Sequence, residues 1–107
     1  MQHYIDGEKS GSSEEMKLAF HDQASIFGYV GSDLFAGPIQ GLYEWHNSNG
    51  AAPAAEFRLG SVDVSGTAAT VRLEIDHWTV HRFTDFLTML KVDGQWKIMC
   101  KVFYLHH

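Results

Sequence analysis

Cysteine and clustered positive charge are scarce in this chain, and long apolar runs are absent. A single cysteine, Cys100, permits no intrachain disulfide, so nothing demands an oxidising compartment. Lys and Arg number 8 against 13 Asp and Glu, giving a formal net charge of −5 with no basic block. That balance argues against a nucleic-acid partner and against an anionic membrane surface. No apolar run reaches transmembrane length and no signal-peptide pattern opens the chain, so the expectation is a cytoplasmic protein. Histidine is plentiful, but the spacings His77/His81 and His106/His107 do not resemble a closed structural metal site. Gly28, Gly31 and Gly37 form no phosphate-binding loop. Neither a metal nor a cofactor is expected.

What is present describes one globular unit. The 107 residues are 45% hydrophobic and 13% aromatic, which suits a single domain over residues 1–107. A chain of this size buries roughly two-thirds of its unfolded surface, enough for one core.

The strongest local signal lies near the end. Asp93-Gly94 sits between two apolar, β-favouring runs, the signature of a two-residue hairpin turn. Residues 84–92 and 95–104 are therefore read as antiparallel strands with Val92 opposite Gln95. Strict alternation puts Asp85, Leu87 and Met89 on one face with Trp96, Ile98, Cys100 and Val102. The other face takes Thr84, Phe86, Thr88 and Leu90 with Lys97, Met99, Lys101 and Phe103. On this parity Lys101 opposes Phe86, and an Asp85–Lys101 ion pair is disfavoured unless a bulge shifts the register.

Earlier elements follow the same logic. Residues 1–7 suit the last turns of a helix capped by Gly7. Ser12 with Glu15 forms a capping box for a short helix running to about His21. Residues 24–30 read as a strand and 31–37 as a loop. Pro38 suits the first position of a helix over 39–46, followed by a loop over 47–53. From residue 56 the period becomes two. Strands over 56–64 and 67–78 are joined at Ser65-Gly66, and Val62, Val64, Ala69, Val71, Leu73, Ile75 and His77 share a face. Helices first and a four-stranded meander after predict an α+β fold with helices on one face of a curved sheet.

Four pieces of sequence carry a family resemblance: Tyr4-x-Asp6-Gly7; Ala19-Phe20-His21; Asp63-Val64-Ser65-Gly66-x-Ala68-x-x-x-Arg72; and Phe83-Thr84-Asp85-Phe86-Leu87 followed by Asp93-Gly94-x-Trp96-x-Ile98-x-x-Lys101-Val102-Phe103. Together they resemble the "putative lumazine-binding", SnoaL-like branch of the nuclear transport factor 2-like superfamily. The resemblance implies a cone, with a strongly curved mixed sheet wrapped around short helices, a pocket in its mouth, and usually a homodimer. Only three residues precede Tyr4, so the first helix is expected to be shortened. Compared with the ketosteroid isomerases of the same superfamily, the oxyanion-binding Tyr falls on Tyr4 and the protonated Asp on Asp85. Their base Asp falls on Gly28, where no carboxylate exists.

These readings define the candidate site. Asp85 is a lone carboxylate on an apolar face, where desolvation favours a neutral donor or a base. His77 continues the Val71–Leu73–Ile75 face and suits general acid–base work; the superfamily that the chain resembles includes scytalone dehydratase-like members that use pocket histidines with a Tyr and an Asp. Tyr4 is the expected donor. Phe20, Tyr29, Trp45, Leu87, Trp96 and Cys100 are expected to line the pocket, the aromatic ones as core or rim and Cys100 as an inert thiol. The expected ligand is a hydrophobic ring compound with a carbonyl or phenol. The alternatives are a cofactor-free isomerase or dehydratase, and a non-catalytic dimerisation module. A homodimer is expected through the outer sheet face, using Phe86, Leu90, Met99 and Phe103 with Lys97 and Lys101.

Overall fold

In the computed structural model, which describes residues 16–49, 54–78 and 81–106, the Asp93-Gly94 turn closes the longest hairpin. Both turn residues have positive φ, 52° and 79°, as a type I′ turn requires. The hairpin joins β5 (His81–Val92) to β6 (Gln95–His106). Preceding them are β1 (Phe20–Val30), β2 (Asp33–Pro38), α1 (Gln40–Asn49), β3 (Glu56–Ser65) and β4 (Ala68–Trp78). The six strands form one sheet in the order β2-β1-β6-β5-β4-β3. The β1–β6 pair is parallel and the other four are antiparallel. The sheet curves around α1 as a cone-like α+β fold.

The core lies between α1 and the concave face. Ile39, Leu42 and Tyr43 meet Ile26 of β1, Leu73 and Ile75 of β4, Leu87 of β5 and Ile98 of β6, all buried. Met16 and Ala19 seal the start of β1, where the Ile98 amide donates to the Ala19 carbonyl at 2.8 Å. Among the described residues no helix is long and apolar enough to cross a membrane.

Several expectations are corrected. The helix expected up to His21 gives way to strand at Phe20, because Phe20 pairs with Ile98 and that tertiary pairing overrides local periodicity. Residues 31–37 are mostly strand: Gly31 turns the chain at φ 63°, and β2 then pairs back from Asp33 opposite Val30 to Pro38 opposite Ser25. Pro38 ends this edge strand, where its missing N–H costs no ladder bond, and the helix begins at Gln40. Ser65 pairs with Ala68, so Gly66 and Thr67 form the turn between β3 and β4. The Gly7 cap, the Ser12–Glu15 box and the shortened first helix lie outside the described residues.

Two one-residue irregularities matter most for the site. Met89 pairs with Ile98 but Thr88 pairs with Cys100, so Met99 is the extra residue of a bulge in β6. Beyond it parity inverts: Lys101 and Phe103 face the concave side, while Cys100 and Val102 face outward. At the end of β4, Ile75 pairs with Phe83 and Trp78 with His81. His77 takes φ 57° in that interval, which turns Trp78 inward and leaves His77 exposed.

Candidate functional site

The bulge at Met99 sets the chemistry of the concave face. Asp85 sits on β5 between Leu73 of β4 and Phe103 of β6, and it is 0% exposed. Lys101, two residues along β6 from Phe103 and beside Ile26 of β1, is 6% exposed. Its Nζ lies 3.5 Å from Asp85 Oδ2. The ion pair that strict alternation disfavours thus forms, by the register shift that alternation would need. Taking two charges out of water costs several kcal/mol per ion, which their mutual attraction offsets.

Asp85 and Lys101 line a compact cavity of about 60 Å³ that opens to solvent, and they are its only charged groups among the described residues. The rest of the wall is apolar. Ile26 and Val30 come from β1, Phe35 from β2, Leu42 and Trp45 from α1. Ile75, Trp78, Phe83 and Phe103 complete it. The aromatic rings brace one another: Trp45 to Trp78 at 4.8 Å between centroids, Trp78 to Phe83 at 5.8 Å, and Phe83 to Phe103 at 6.1 Å. Aromatic pairs of this kind, one tilted and two edge-on, are worth roughly 0.5–1.5 kcal/mol each beyond area burial.

Gly28 explains how Phe103 fits. A Cβ built on Gly28 would lie 2.6 Å from three atoms of the Phe103 ring, closer than side chains approach. The ring occupies the space a side chain would take at the position where the steroid-isomerase comparison looks for its base. The Lys101 ammonium sits 5.9 Å from the centroid of the same ring.

The sequence-predicted residues separate sharply. Asp85 and Trp45 line the cavity. Leu87 and Phe20 are buried in the core rather than in the cavity wall, Phe20 edge-on to Tyr43 at 6.3 Å. Tyr29 is 60% exposed on the outer face, beside Tyr104. Cys100 is also on the outer face, with its Sγ 3.8 Å from Ser25 Oγ. Trp96 is exposed beside the Asp93-Gly94 turn, opposite Lys91. His77 is exposed and off the concave face for the reason given above, and Tyr4 lies outside the described residues. Sequence reading missed Lys101, Phe103, Phe35, Trp78 and Phe83. The available signal was Lys101 on one apolar strand and the lone carboxylate Asp85 on the facing one.

A second, larger depression of about 390 Å³ is polar and shallow, bounded by Lys17, Asp22, Gln40, Tyr43, Glu44 and Asn47. Burial, with a smaller contribution from Asp22, pushes the Tyr43 hydroxyl up to about 12, so it stays protonated at neutral pH. Among the described residues no cluster of three or more His, Cys, Asp or Glu is placed to hold a metal.

A curved sheet around a helix, with one ion pair in an apolar mouth, defines a small-molecule pocket fold of the nuclear transport factor 2-like kind. The chain belongs to the family described as "Putative lumazine-binding", whose model matches residues 1–104. It is 30% identical over 102 residues to aldolase FrzH of Cladobotryum sp., spanning 94% of this chain and 82% of that one. A solved NTF2-like protein from Methylobacillus flagellatus KT is 48% identical, with 99% of this chain and 86% of that one covered at a TM-score of 0.96. Another, from Shewanella baltica OS155, is 38% identical, with 99% and 87% covered at a TM-score of 0.92.

Proposed function

We propose that the protein binds a small hydrophobic ring compound in the concave cavity, with the ligand's carbonyl or phenol oxygen at the Asp85–Lys101 pair. The observation that carries this reading is a buried ion pair on an otherwise apolar cavity wall. A pocket of mostly hydrophobic lining with few convergent polar groups is the usual form of a small-molecule site. The cavity, about 60 Å³ and open to solvent, takes one edge of a ring, with the remainder of the ligand at its mouth.

Catalysis is the second reading, and the aldolase relative favours it. The pair suits proton removal next to a carbonyl. The Asp85 carboxylate takes the α-proton, the C–H electron pair becomes the new C=C bond, and the carbonyl π pair moves onto oxygen. Returning the proton at another carbon would isomerise, expelling a β-substituent would eliminate, and attack on a second carbonyl would be an aldol addition. His77 has no place in this scheme, being exposed elsewhere.

Titration with cyclohex-2-enone and 4-methylphenol, followed by tryptophan fluorescence, tests the binding reading, since Trp45 and Trp78 line the cavity. The expected result is a saturable change that Val30→Phe, at the exposed mouth, abolishes while the melting temperature is kept. No saturable change, or one indifferent to Val30→Phe, contradicts the reading.

A homodimer through the outer face is also proposed, on a revised set of residues. Phe103 and Lys101 are inside, so the outer strip is Phe27, Val102 and Phe86 in adjacent register positions, all exposed, with Tyr29 and Tyr104 in the next row. Light scattering at micromolar concentration that finds a monomer contradicts it.

A further inference from the structure

We propose that the polar depression between α1 and the start of β1 is a second ligand site, which takes a small hydroxylated amine, its ammonium held by Asp22 and Glu44 and one of its hydroxyls by Tyr43. The depression shares no lining residue with the concave cavity, so the proposal stands apart from the binding reading above.

Two local features build the site. Gln40, Tyr43, Glu44 and Asn47 fall at i, i+3, i+4 and i+7 of α1, which gathers them along one side of the helix. Facing them, β1 advances five residues from Phe20 to Ser25 while β6 advances only two, from Ile98 to Cys100. Asp22 lies in that irregular stretch, which is tied to the helix instead of to β6. The Gln40 side-chain amide donates to the Asp22 carbonyl at 3.1 Å, and the Ile39 amide donates to the Ala24 carbonyl at 2.9 Å.

Tyr43 is the observation that points to a ligand. It is 7% exposed and lines the depression. Its ring is fully engaged, edge-on to Phe20 at 6.3 Å and with the Lys17 ammonium 5.5 Å from its centroid. Its hydroxyl has no hydrogen-bond partner among the described residues, although a buried tyrosine hydroxyl usually finds one. Burial and the Asp22 carboxylate both oppose its ionisation, so at neutral pH it is a donor as well as an acceptor.

Charge sets the ligand class. The wall carries two carboxylates, Asp22 and Glu44, against the one ammonium of Lys17, in a chain of net charge −5. That field draws a cation and repels an anion. The carboxamides of Gln40 and Asn47 and the Tyr43 hydroxyl offer both donors and acceptors, which match alcohol groups. A wall this polar gives little return for burying an apolar ring, in contrast to the concave cavity.

The test is calorimetric titration of the whole chain at low salt and neutral pH. The probe is glucamine, an amine with a chain of hydroxyls. Sorbitol keeps the hydroxyls without the amine, and propylamine keeps the amine without the hydroxyls. Saturable binding of glucamine is expected, with both comparators weaker by about tenfold or more. Tyr43→Phe keeps the ring on Phe20 and should weaken glucamine by about threefold to tenfold, with the melting temperature kept and propylamine unaffected. Asp22→Asn should weaken glucamine by about tenfold or more. Asp63→Asn, which removes the same charge from an exposed position on β3, should leave it unchanged. No saturable binding, glucamine no tighter than sorbitol, or a Tyr43→Phe protein equal to wild type overturns the proposal. Equal losses in Asp22→Asn and Asp63→Asn overturn it too, since they would show attraction to the overall negative charge alone. Competition by 4-methylphenol would move the amine into the concave cavity and likewise overturn it. None of these failures touches the reading of that cavity, which its own titration decides.

Discussion

The two faces of the same sheet each bury a carboxylate, and they do so in opposite ways. On the convex face Glu74 of β4 is locked by its neighbours. Arg72 Nε donates to Oε1 and Arg82 Nη2 to Oε2, both at 2.9 Å, and the Thr84 hydroxyl donates at 3.0–3.1 Å. Thr84 also meets His106 Nε2 at 2.8 Å, and Arg82 reaches on to Asp76 at 3.2 Å. The side chain of Glu74 is nearly as buried as that of Asp85, yet it lines neither of the two cavities described among these residues. On the concave face the Asp85 carboxylate lies 3.5 Å from the Lys101 ammonium on the wall of the cavity. The convex network is short-bonded and ties neighbouring strands together; the concave pair is more widely spaced and lines a cavity, which is why the proposed site is placed there.

The sharpest way to break this contrast is to remove one partner of the concave pair. Lys101→Met removes the cation beside a buried carboxylate and is expected to cost about 3–5 kcal/mol in urea denaturation. The double variant Asp85→Asn/Lys101→Met should regain most of that loss. If the double variant is as unstable as the single one, the pair is not the unit described here.

Gly28→Ala comes next. Its Cβ would drive into the Phe103 ring, an overpacking expected to cost about 1–3 kcal/mol and to weaken phenol binding by moving Phe103 off Lys101. An unchanged melting temperature would mean that the ring gives way freely.

On the convex side, pH tests the Glu74 network. The Arg72 hydrogen bond foremost, then those from Thr84 and Arg82, hold the Glu74 carboxyl below its ordinary 4.5 against the opposing effect of burial. A carboxyl lowered by folding contributes stability that is fully present above pH 4.5 and is lost as pH falls through its lowered value. Acid unfolding of Glu74→Gln should therefore be flatter than wild type below pH 4.5, with phenol binding at pH 7 unchanged. A parallel pair of acid-unfolding curves contradicts the locked-network description.

The smallest effect is expected at His77. Gly relieves a left-handed backbone, so His77→Gly should be neutral or stabilise by about 0.5–1 kcal/mol, without altering ligand binding. Loss of binding would return His77 to the site.

Much of this molecule is legible in its sequence because it follows from period and turn chemistry. Asp93-Gly94, the β3–β4 meander and the helix near residues 40–49 are all of that kind. Asp85 stood out as one carboxylate among apolar neighbours. The rest was hidden by single-residue events. The Met99 bulge and the left-handed His77 each reverse parity for everything beyond them, and apolar alternation has no term for one extra residue. Strict alternation therefore puts Lys101 and Phe103 outside and Cys100 and His77 inside, the reverse of where they lie. β2 was hidden differently: glycines at both its ends outweighed the short alternation of Leu34-Phe35-Ala36 between them.

The central claim is that the concave face holds the ligand and the convex face does not. Amide and indole NMR shifts of the intact protein, recorded during a 4-nitrophenol titration, test it directly. The account predicts saturable shifts at Ile26, Phe35, Trp78, Lys101 and Phe103, with Phe27, Phe86 and the Glu74 network unmoved. Shifts concentrated on Phe27, Phe86 and Tyr104 instead would contradict it and make the outer face the binding surface.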